Sequence, residues 1–303
     1  MSHFNSIGRR QMLQGLGAAA AVSMLPRVPA LAAAAAPLAI TELNHIGLFT
    51  AKVNETRDFY VKLLGLPAET MESNVRVYVR FPGGFISING GPTMTRPAEY
   101  NHFCLGVKGF EGKDVPGLKA KIEAAGFKTS PSDSVSLNIV DPNGIDVQLG
   151  QPGFTGLEGH QKVGGGAEAP KPTVGQFKVS ELNHIGVSSP KANETRDFYM
   201  KSMGLKADTV EDNNRIYVRL PGASFISINN YPGIKAQIHH FAFGIPNFDE
   251  SNTKGMIEKL KAAGFDAAPA DAVSIFVKDP NGLLVQLGKA GFTGLEDHPI
   301  KKG

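Results

Sequence analysis

The chain has 303 residues, of which 42% are hydrophobic and 19% are charged, so it is too apolar for a disordered protein and long enough for two domains. The formal net charge of +3 comes from residues 1–36, which hold three arginines and no acidic residue, because 28 Lys and Arg then remain against 28 Asp and Glu. A surface that follows nucleic-acid phosphates would need a cluster of basic residues, and the sequence has none, so nucleic acid is excluded as a partner.

The first predicted element, residues 1–36, has the layout of an export signal. Arg9 and Arg10 are followed by Gln11 and two apolar residues, then by a weakly apolar Gly- and Ala-rich run, and residues 30–32 suit a cleavage site. This stretch resembles a twin-arginine signal peptide. The resemblance implies the twin-arginine translocase as a partner during export, and a periplasmic or extracellular protein with no membrane contact after cleavage. A membrane anchor is the weaker alternative, because the run is short and interrupted by glycines.

The rest of the chain carries one sequence pattern twice. The segments ELNHIG, NETRDFY, FISIN, DPNG and GFTGLE each occur in residues 38–160 and again in residues 177–298. Residues 161–176 between the copies are rich in Gly and Pro, which is typical of a linker. The sequence therefore predicts two similar domains, over 38–160 and 177–298, joined by this linker.

Within each copy, hydrophobic periodicity predicts the order β-α-β-β-β two times over. Strands are indicated by short apolar or alternating runs, and helices by one apolar stripe. In the first copy the predicted elements are strand 43–49, helix 54–66, strands 74–81 and 85–89, then strand 101–107, helix 115–127, and strands 134–140 and 145–150. We therefore expect an α+β fold with four β-α-β-β-β modules, in which helices cover one face of a cupped sheet.

Alternation along the predicted strands separates an apolar face from a polar one. Val75, Val77 and Val79 fall on the apolar face, which is expected to pack under a helix. The opposite face collects polar side chains that recur in both copies, and a face so polar predicts a water-filled cup. They are His45, Arg76, Tyr78, Arg80, Ser87, Asn89, His102, Asp146 and Gln148 in the first copy, and His184, Arg215, Tyr217, Arg219, Ser227, Asn229, His240 and Gln286 in the second.

A histidine in the opening strand of each module, the DPNG turn and a ligand-type residue four positions after its glycine resemble the vicinal oxygen chelate superfamily. This superfamily includes glyoxalase I, bleomycin-resistance proteins and type I extradiol dioxygenases. The resemblance covers nearly all of residues 40–298, and four modules in one chain are most like the dioxygenases. It implies two sets of metal ligands, namely His45, His102 and Gln148, and His184, His240 and Gln286. The fourth ligand position of the glyoxalases falls on Ser87 and Ser227.

The third implied ligand departs from the pattern of the dioxygenases, which have glutamate where this chain has Gln148 and Gln286. Two histidines and one carboxylate suit Fe(II), whereas an amide oxygen adds no charge. The resemblance favours Fe(II) as the cofactor, with Zn, Ni, Co and Mn as other divalent ions. A metal-free cup, as in bleomycin-resistance proteins, is the alternative.

The resemblance implies an exported, metal-dependent enzyme close to ring-cleaving dioxygenases, with a small aromatic or acidic substrate that carries vicinal oxygens. A glyoxalase-type lyase or isomerase and a metal-free small-molecule-binding protein are the alternatives, and a homo-oligomer stays open. Two arginines on each inward face favour an anionic substrate. The predicted substrate-binding residues are Arg76, Arg80, Asn89, Arg215, Arg219 and Asn229.

Tyr78 and Tyr217 are the predicted catalytic residues, as donors to a substrate oxyanion, with a wall-lining role as the alternative. His239 should face away from the cup, because it precedes His240 in a strand. His160 is expected at the surface, as is His298. Cys104, the single cysteine, excludes an intramolecular disulfide and is expected to fill space.

Overall fold

The computed structural model describes residues 36–71, 75–130, 133–163, 177–210, 214–296, 298 and 300. The predicted signal at 1–36 lies outside the described residues except for Ala36, and the predicted linker lies outside them except for 161–163. No helix within the described ranges is both long enough and apolar enough to cross a membrane.

All four predicted modules are present, and each runs strand, helix, then three strands. The first is β1 (Ile40–Thr50), α1 (Val53–Leu64), β2 (Ala68–Thr70), β3 (Arg76–Phe81) and β4 (Gly84–Gly90). The second is β5 (Glu99–Val107), α2 (Val115–Ala124), β6 (Thr129–Ser130), β7 (Leu137–Val140) and β8 (Asp146–Gly150). The third is β9 (Glu181–Ser189), α3 (Ala192–Met203), β10 (Lys206–Thr209), β11 (Arg215–Arg219) and β12 (Phe225–Asn230). The fourth is β13 (Gln237–Ile245), α4 (Thr253–Ala262), β14 (Asp266–Pro269), β15 (Ile275–Lys278) and β16 (Leu284–Lys289). The α+β prediction is confirmed.

Local sequence signals set the ends of the helices. Helices α1 and α3 end at Gly65 and Gly204, whose left-handed φ angles of 63° and 64° an L side chain rarely adopts. Helices α2 and α4 begin after Asp114 and Asn252, whose side chains accept a backbone N–H of the first turn. Each pair of equivalent helices therefore uses the same kind of end in both halves.

The strands form one half-sheet from each sequence copy, and the two half-sheets join. The first has the order β2-β3-β4-β1-β5-β8-β7-β6, in which β1 pairs parallel with β4 and antiparallel with β5. The second has the equivalent order β10-β11-β12-β9-β13-β16-β15-β14. They meet where Ile238 on β13 pairs with Tyr100 on β5, so the whole is a 16-stranded sheet.

Apolar side chains of both halves form one shared core. The ring of Tyr60 on α1 lies 6.0 Å from that of Phe241 on β13, and the ring of Tyr199 on α3 lies 6.5 Å from that of Phe103 on β5. The first helix of each half therefore packs against the other half. Val77 and Val79 are buried there as predicted, but the prediction for Val75 is wrong: it precedes β3 and is 44% exposed.

The DPNG turns add polar contacts between the halves. Nδ2 of Asn143, in the turn of the first half, donates to Oγ1 of Thr195 on α3 at 2.7 Å. Nδ2 of Asn281, in the turn of the second half, donates to Oγ1 of Thr56 on α1 at 2.9 Å. Both threonines are fully buried, so each half donates a hydrogen bond to a buried hydroxyl group of the other.

Candidate active site

Each half-sheet carries one cavity on its polar face. The first cavity has a volume of about 240 Å³ and the second about 180 Å³. The structure brings most of the predicted site residues together at these cavities. The first is lined by His45, Arg76, Tyr78, Ser87, Asn89, His102 and Gln148, and the second by His184, Arg215, Tyr217, Ser227, Asn229, His240 and Gln286.

In the first cavity the three implied ligands converge. Nε2 of His45 lies 3.3 Å from Nε2 of His102 and 3.0 Å from Oε1 of Gln148. Ligand atoms that bind one ion at about 2.1 Å lie about 3 Å apart, so this spacing suits a metal centre. We define these three residues as the first triad.

The second triad, which consists of His184, His240 and Gln286, has the same geometry. Nε2 of His184 lies 3.1 Å from Nε2 of His240 and 3.2 Å from Oε1 of Gln286. The ring planes of the two histidines are perpendicular, at 90°, and the corresponding angle in the first triad is 88°. Both sequence copies therefore build the same arrangement.

The repeated ELNHIG segment explains how the first histidine of each triad is oriented. Nδ2 of Asn183 donates to the Glu181 carboxylate at 3.2 Å and to the Phe292 carbonyl at 3.0 Å, so its Oδ1 accepts from Nδ1 of His184 at 2.9 Å. A proton on Nδ1 leaves a lone pair on Nε2, which faces the triad. In the first half, Asn44 holds His45 in the same way, at 2.9 Å.

Hydrogen bonds also fix the orientation of the Gln286 amide in the second triad. Nε2 of Gln286 donates to Oγ of Ser274 at 2.7 Å and to Oδ2 of Asp271 at 3.3 Å, so Oε1 is the atom that faces His184. Two acceptor atoms thus lie 3.2 Å apart, a contact that a cation between them would stabilise. The residues present fit a metal ion.

The glycine of ELNHIG makes room for the second histidine of each triad. A Cβ atom on Gly186 would lie 2.0 Å from Cε1 of His240, which no side chain could tolerate without displacing the ring. Each polar or small residue of the hexapeptide therefore supports the triad: glutamate holds asparagine, asparagine holds histidine, and glycine admits the second histidine.

The triad histidines are neutral at pH 7. Burial lowers the pKa of His184 to about 3 and that of His102 to about 4, with Arg76 adding to the effect on His102. Burial also lowers the pKa of His45 and His240 well below 6.5. Over the described residues, no group of three or more His, Cys, Asp or Glu side chains could hold a metal ion. An ion in either triad would therefore have three neutral ligands.

Arg76 and Arg215 line the cavities, where each donates from Nε to an asparagine, Asn89 at 2.6 Å and Asn229 at 2.9 Å. The second arginine of each half does not line the cavity. Arg219 pairs with Asp208 on the neighbouring strand at 2.6 Å and donates to the Thr293 carbonyl at 2.6 Å.

Arg80 occupies the same position in the first half. It pairs with Glu69 at 2.8 Å, and its guanidinium lies 5.0 Å from the ring centroid of Tyr78. The structure therefore places Arg80 with the supporting wall, not with the groups that face a substrate, because an acidic residue on the adjacent strand engages it.

Tyr78 and Tyr217 line the cavities, and the GFTGLE tail packs on them. A Cβ atom on Gly156 would lie 2.6 Å from Cε2 of Tyr78, and the φ of Gly156 is 77°, so only glycine fits there. Burial raises the pKa of both tyrosines, so each phenol keeps its proton at pH 7 and can donate a hydrogen bond.

Aromatic rings form part of each cavity wall, beside the polar side chains. The ring of His45 stacks on Phe85 at 4.2 Å between centroids and lies 5.8 Å from Phe154. Cys104 is fully buried in the same apolar cluster, as expected of a residue that fills space.

Two predictions about histidines are wrong. His160 lines the first cavity beside Arg76 instead of lying at the surface, because the tail after β8 folds back over the cavity. His239 lines the second cavity, because a bulge in β13 between Ile238 and His240 breaks the alternation that should have turned it away.

Sequence reasoning missed further cavity residues. Asp133 lines the first cavity and Asp271 the second, while Ser136 and Ser274 anchor the triad amides. The signal was present, because the pattern Asp-x-Val-Ser occurs at 133–136 and again at 271–274. Asp133 lies just before the predicted strand 134–140 and Ser136 lies within it, so the repeated pattern indicates that both belong beside the cavity.

No protein-family model matches the sequence, and no curated protein matches it. Solved structures do match. BphC, a halotolerant catechol dioxygenase, is 18% identical with a TM-score of 0.62, over 87% of this chain and 89% of that one. The chain has the fold of the extradiol dioxygenases.

Two further structures agree with this fold. The 2,3-dioxygenase LapB from Pseudomonas sp. KL28 is 16% identical with a TM-score of 0.63, over 87% of this chain and 95% of that one. An E323L mutant of homoprotocatechuate 2,3-dioxygenase from Brevibacterium fuscum is 16% identical with a TM-score of 0.60, over 84% of this chain and 73% of that one. At these identities the likeness concerns the fold, and function must be argued from the site.

Proposed function

We propose that the protein is a metal-dependent enzyme of the extradiol ring-cleaving dioxygenase type, with a small aromatic substrate that carries vicinal oxygens. The observation that carries the proposal is the pair of facing acceptors in the second triad, Nε2 of His184 and Oε1 of Gln286, at 3.2 Å. The hydrogen bonds of Asn183 fix one acceptor and those of Gln286 itself fix the other. The first triad repeats the arrangement.

The residues around each triad suit a planar diol. A divalent ion held by a triad would supply a Lewis acid for two adjacent substrate oxygens, and Fe(II) is the ion that nitrogen and oxygen ligands of this kind favour for oxygen chemistry. Arg76 or Arg215 would offset the charge of an ionised diol. The protonated Tyr78 or Tyr217 would donate a hydrogen bond to a substrate oxygen, and Phe154 or Phe292 would pack on the ring and exclude water.

A glyoxalase-type lyase is the second candidate, and the neutral triads favour it. Gln148 and Gln286 leave the full charge of a divalent ion uncompensated, which strengthens polarisation of a carbonyl without any redox change. A metal-free binding protein fits less well, because Oε1 of Gln286 would then face the lone pair on Nε2 of His184 with no cation between them.

Oxygen uptake distinguishes these candidates. Fe(II)-loaded protein should consume oxygen with at least one catechol or hydroquinone, and Zn-loaded protein should not. The variant H45A/H184A, which lacks one ligand of each triad, should be inactive. Turnover of an α-hydroxy carbonyl by the Zn form without oxygen uptake would favour the lyase over the dioxygenase. Absence of turnover by both the Fe(II) form and the Zn form would favour the metal-free binding protein.

Export is part of the same proposal and rests on residues 1–36. We expect the full chain to appear in the periplasmic or extracellular fraction of a host with a working twin-arginine translocase. The variant R9K/R10K should stay inside the cell. Equal export of both proteins would contradict the assignment.

A further inference from the structure

The two cavities have the same triad but different walls, and the difference lies beside the triad. Asn138 on β7 pairs across the sheet with Gln148, and Phe276 on β15 pairs in the same way with Gln286. Paired residues of antiparallel strands point to the same face, so each lies next to its triad amide. An amide in the first cavity thus takes the place of an aromatic ring in the second.

One amide of the first cavity lacks a partner. Oδ1 of Asn138 is buried without a hydrogen-bond partner among the described residues. A buried acceptor without a partner is costly, and one that lines a cavity points to a ligand that donates a hydrogen bond there. In the part of the chain that the structure describes, the second cavity has no such unpartnered oxygen.

The second cavity is closed by rings at the same positions. Phe276 lies 5.2 Å from the ring of His240 and 6.1 Å from that of His239, which replaces Asn101. Tyr231 lines its mouth, where the first half has Gly91 with a φ of 140° that a side chain rarely adopts. The smaller volume, about 180 Å³ against about 240 Å³, agrees with these larger side chains.

We infer that the two cavities take different substrates: the first takes a ring whose substituent donates a hydrogen bond, such as a hydroxyl, and the second takes a ring with an apolar substituent. This inference rests on the proposed function for the diol that each triad would hold. Asn138 and Phe276 are the specificity-determining residues. Each of these two residues lies beside its triad but is not an implied ligand. It would therefore contact the part of a substrate that extends beyond the metal ligands.

Two probes of matched size test the inference. 3,4-Dihydroxybenzyl alcohol and 4-ethylcatechol share the diol and differ by a hydroxyl against a methyl group. Calorimetry with Zn-loaded full-length protein measures their binding without turnover. In H184A, which keeps only the first triad intact, the alcohol should bind about tenfold tighter than 4-ethylcatechol, because one neutral hydrogen bond contributes about that factor to affinity. In H45A, which keeps only the second triad intact, 4-ethylcatechol should bind about tenfold tighter than the alcohol.

Substitution of Asn138 or Phe276 should change which of the two probes binds more tightly. Asn138→Leu keeps the branched shape and the number of side-chain heavy atoms but lacks the amide, so in H184A it should lose the preference for the alcohol and keep the affinity for 4-ethylcatechol. Phe276→Asn in H45A should gain affinity for the alcohol. Should a variant fail to fold, as judged by circular dichroism, wild-type protein still gives an answer, because each probe should show two binding steps of unequal affinity.

The outcomes separate the two proposals. Equal affinities of both cavities for both probes would overturn the inference and leave the proposed function intact. If neither probe binds to the Zn-loaded wild type, the proposed diol site itself is overturned, and the inference with it.

Discussion

Gly47 lies so close to His102 that a Cβ atom on residue 47 would come within 2.0 Å of Cε1 of the imidazole ring. Gly186 and His240 have the same relationship in the other half. The opening strand and the strand beside it can therefore bring two histidines together only if the residue two positions after the first histidine has no side chain. This requirement gives the most direct test of the triads.

Gly47→Ala should displace His102 and remove the ion from the first cavity while the second keeps its ion. Gly288→Ala is the matched control, because a Cβ atom there would lie 3.5 Å from Ser274, which is ordinary contact. Elemental analysis of both variants after loading with Zn and gel filtration gives the metal content. Full occupancy of both cavities in Gly47→Ala would contradict the assignment of His102 as a ligand.

Metal should stabilise the fold through each triad separately. Zn at a hundredfold excess over its dissociation constant should add roughly 2.7 kcal/mol to the free energy of unfolding for each triad. H45A and H184A should each lose one such increment, and the double variant should lose both. Urea unfolding with and without a chelator measures the increments, and a chelator that leaves wild type unaffected would refute metal binding.

Gln148→Glu should tighten the binding of Zn by about tenfold or more, because the carboxylate adds a charge to a neutral ligand set. Gln286→Glu should gain less, because Oδ2 of Asp271 lies 3.3 Å from the side-chain nitrogen that a carboxylate oxygen would replace. Competition with a fluorescent chelator gives both dissociation constants. Equal gains in the two variants would show that Asp271 does not influence the second triad.

The contacts of the DPNG turns should matter for stability. Asn143→Ala removes the amide that donates to the buried Oγ1 of Thr195 and that accepts from Oγ of Ser189, so the free energy of unfolding should fall by about 1–3 kcal/mol. Asn247→Ala, at an exposed position, should change it by less than about 0.5 kcal/mol. Because the core is shared, urea should unfold wild type in one transition. Two separate transitions would show that the halves unfold independently.

The alternation of side chains along the strands predicted which residues share a face of the sheet, and the positions where it failed have physical causes. It placed His45, His102 and Gln148 on one face because all three lie within predicted strands, although the pairing of β1 with β5 has register shifts beside both histidines. It failed at Val75, which lies before the strand begins, and at His239, which lies in a bulge. A periodic pattern carries no information about either local irregularity.

The sequence pattern did not predict contacts between residues that are far apart in the chain. Nothing local to residue 160 shows that the tail returns to Arg76, and nothing in either copy shows that Tyr100 pairs with Ile238. The DPNG motif was recognised as a turn, but its partner on the opposite half was not. The composition of a segment indicates its local conformation, whereas its partners depend on how distant elements pack.

The reciprocal bonds of Asn143 and Asn281 make each half depend on the other. A half-protein freed from its counterpart would expose the aromatic face of its first helix, lose the asparagine that donates to its buried threonine and lose the strand neighbour at the junction. Loss of either copy would therefore harm the survivor even where only one cavity is needed. The two copies form an obligate pair, and substitutions beside the triads are the changes through which they can diverge.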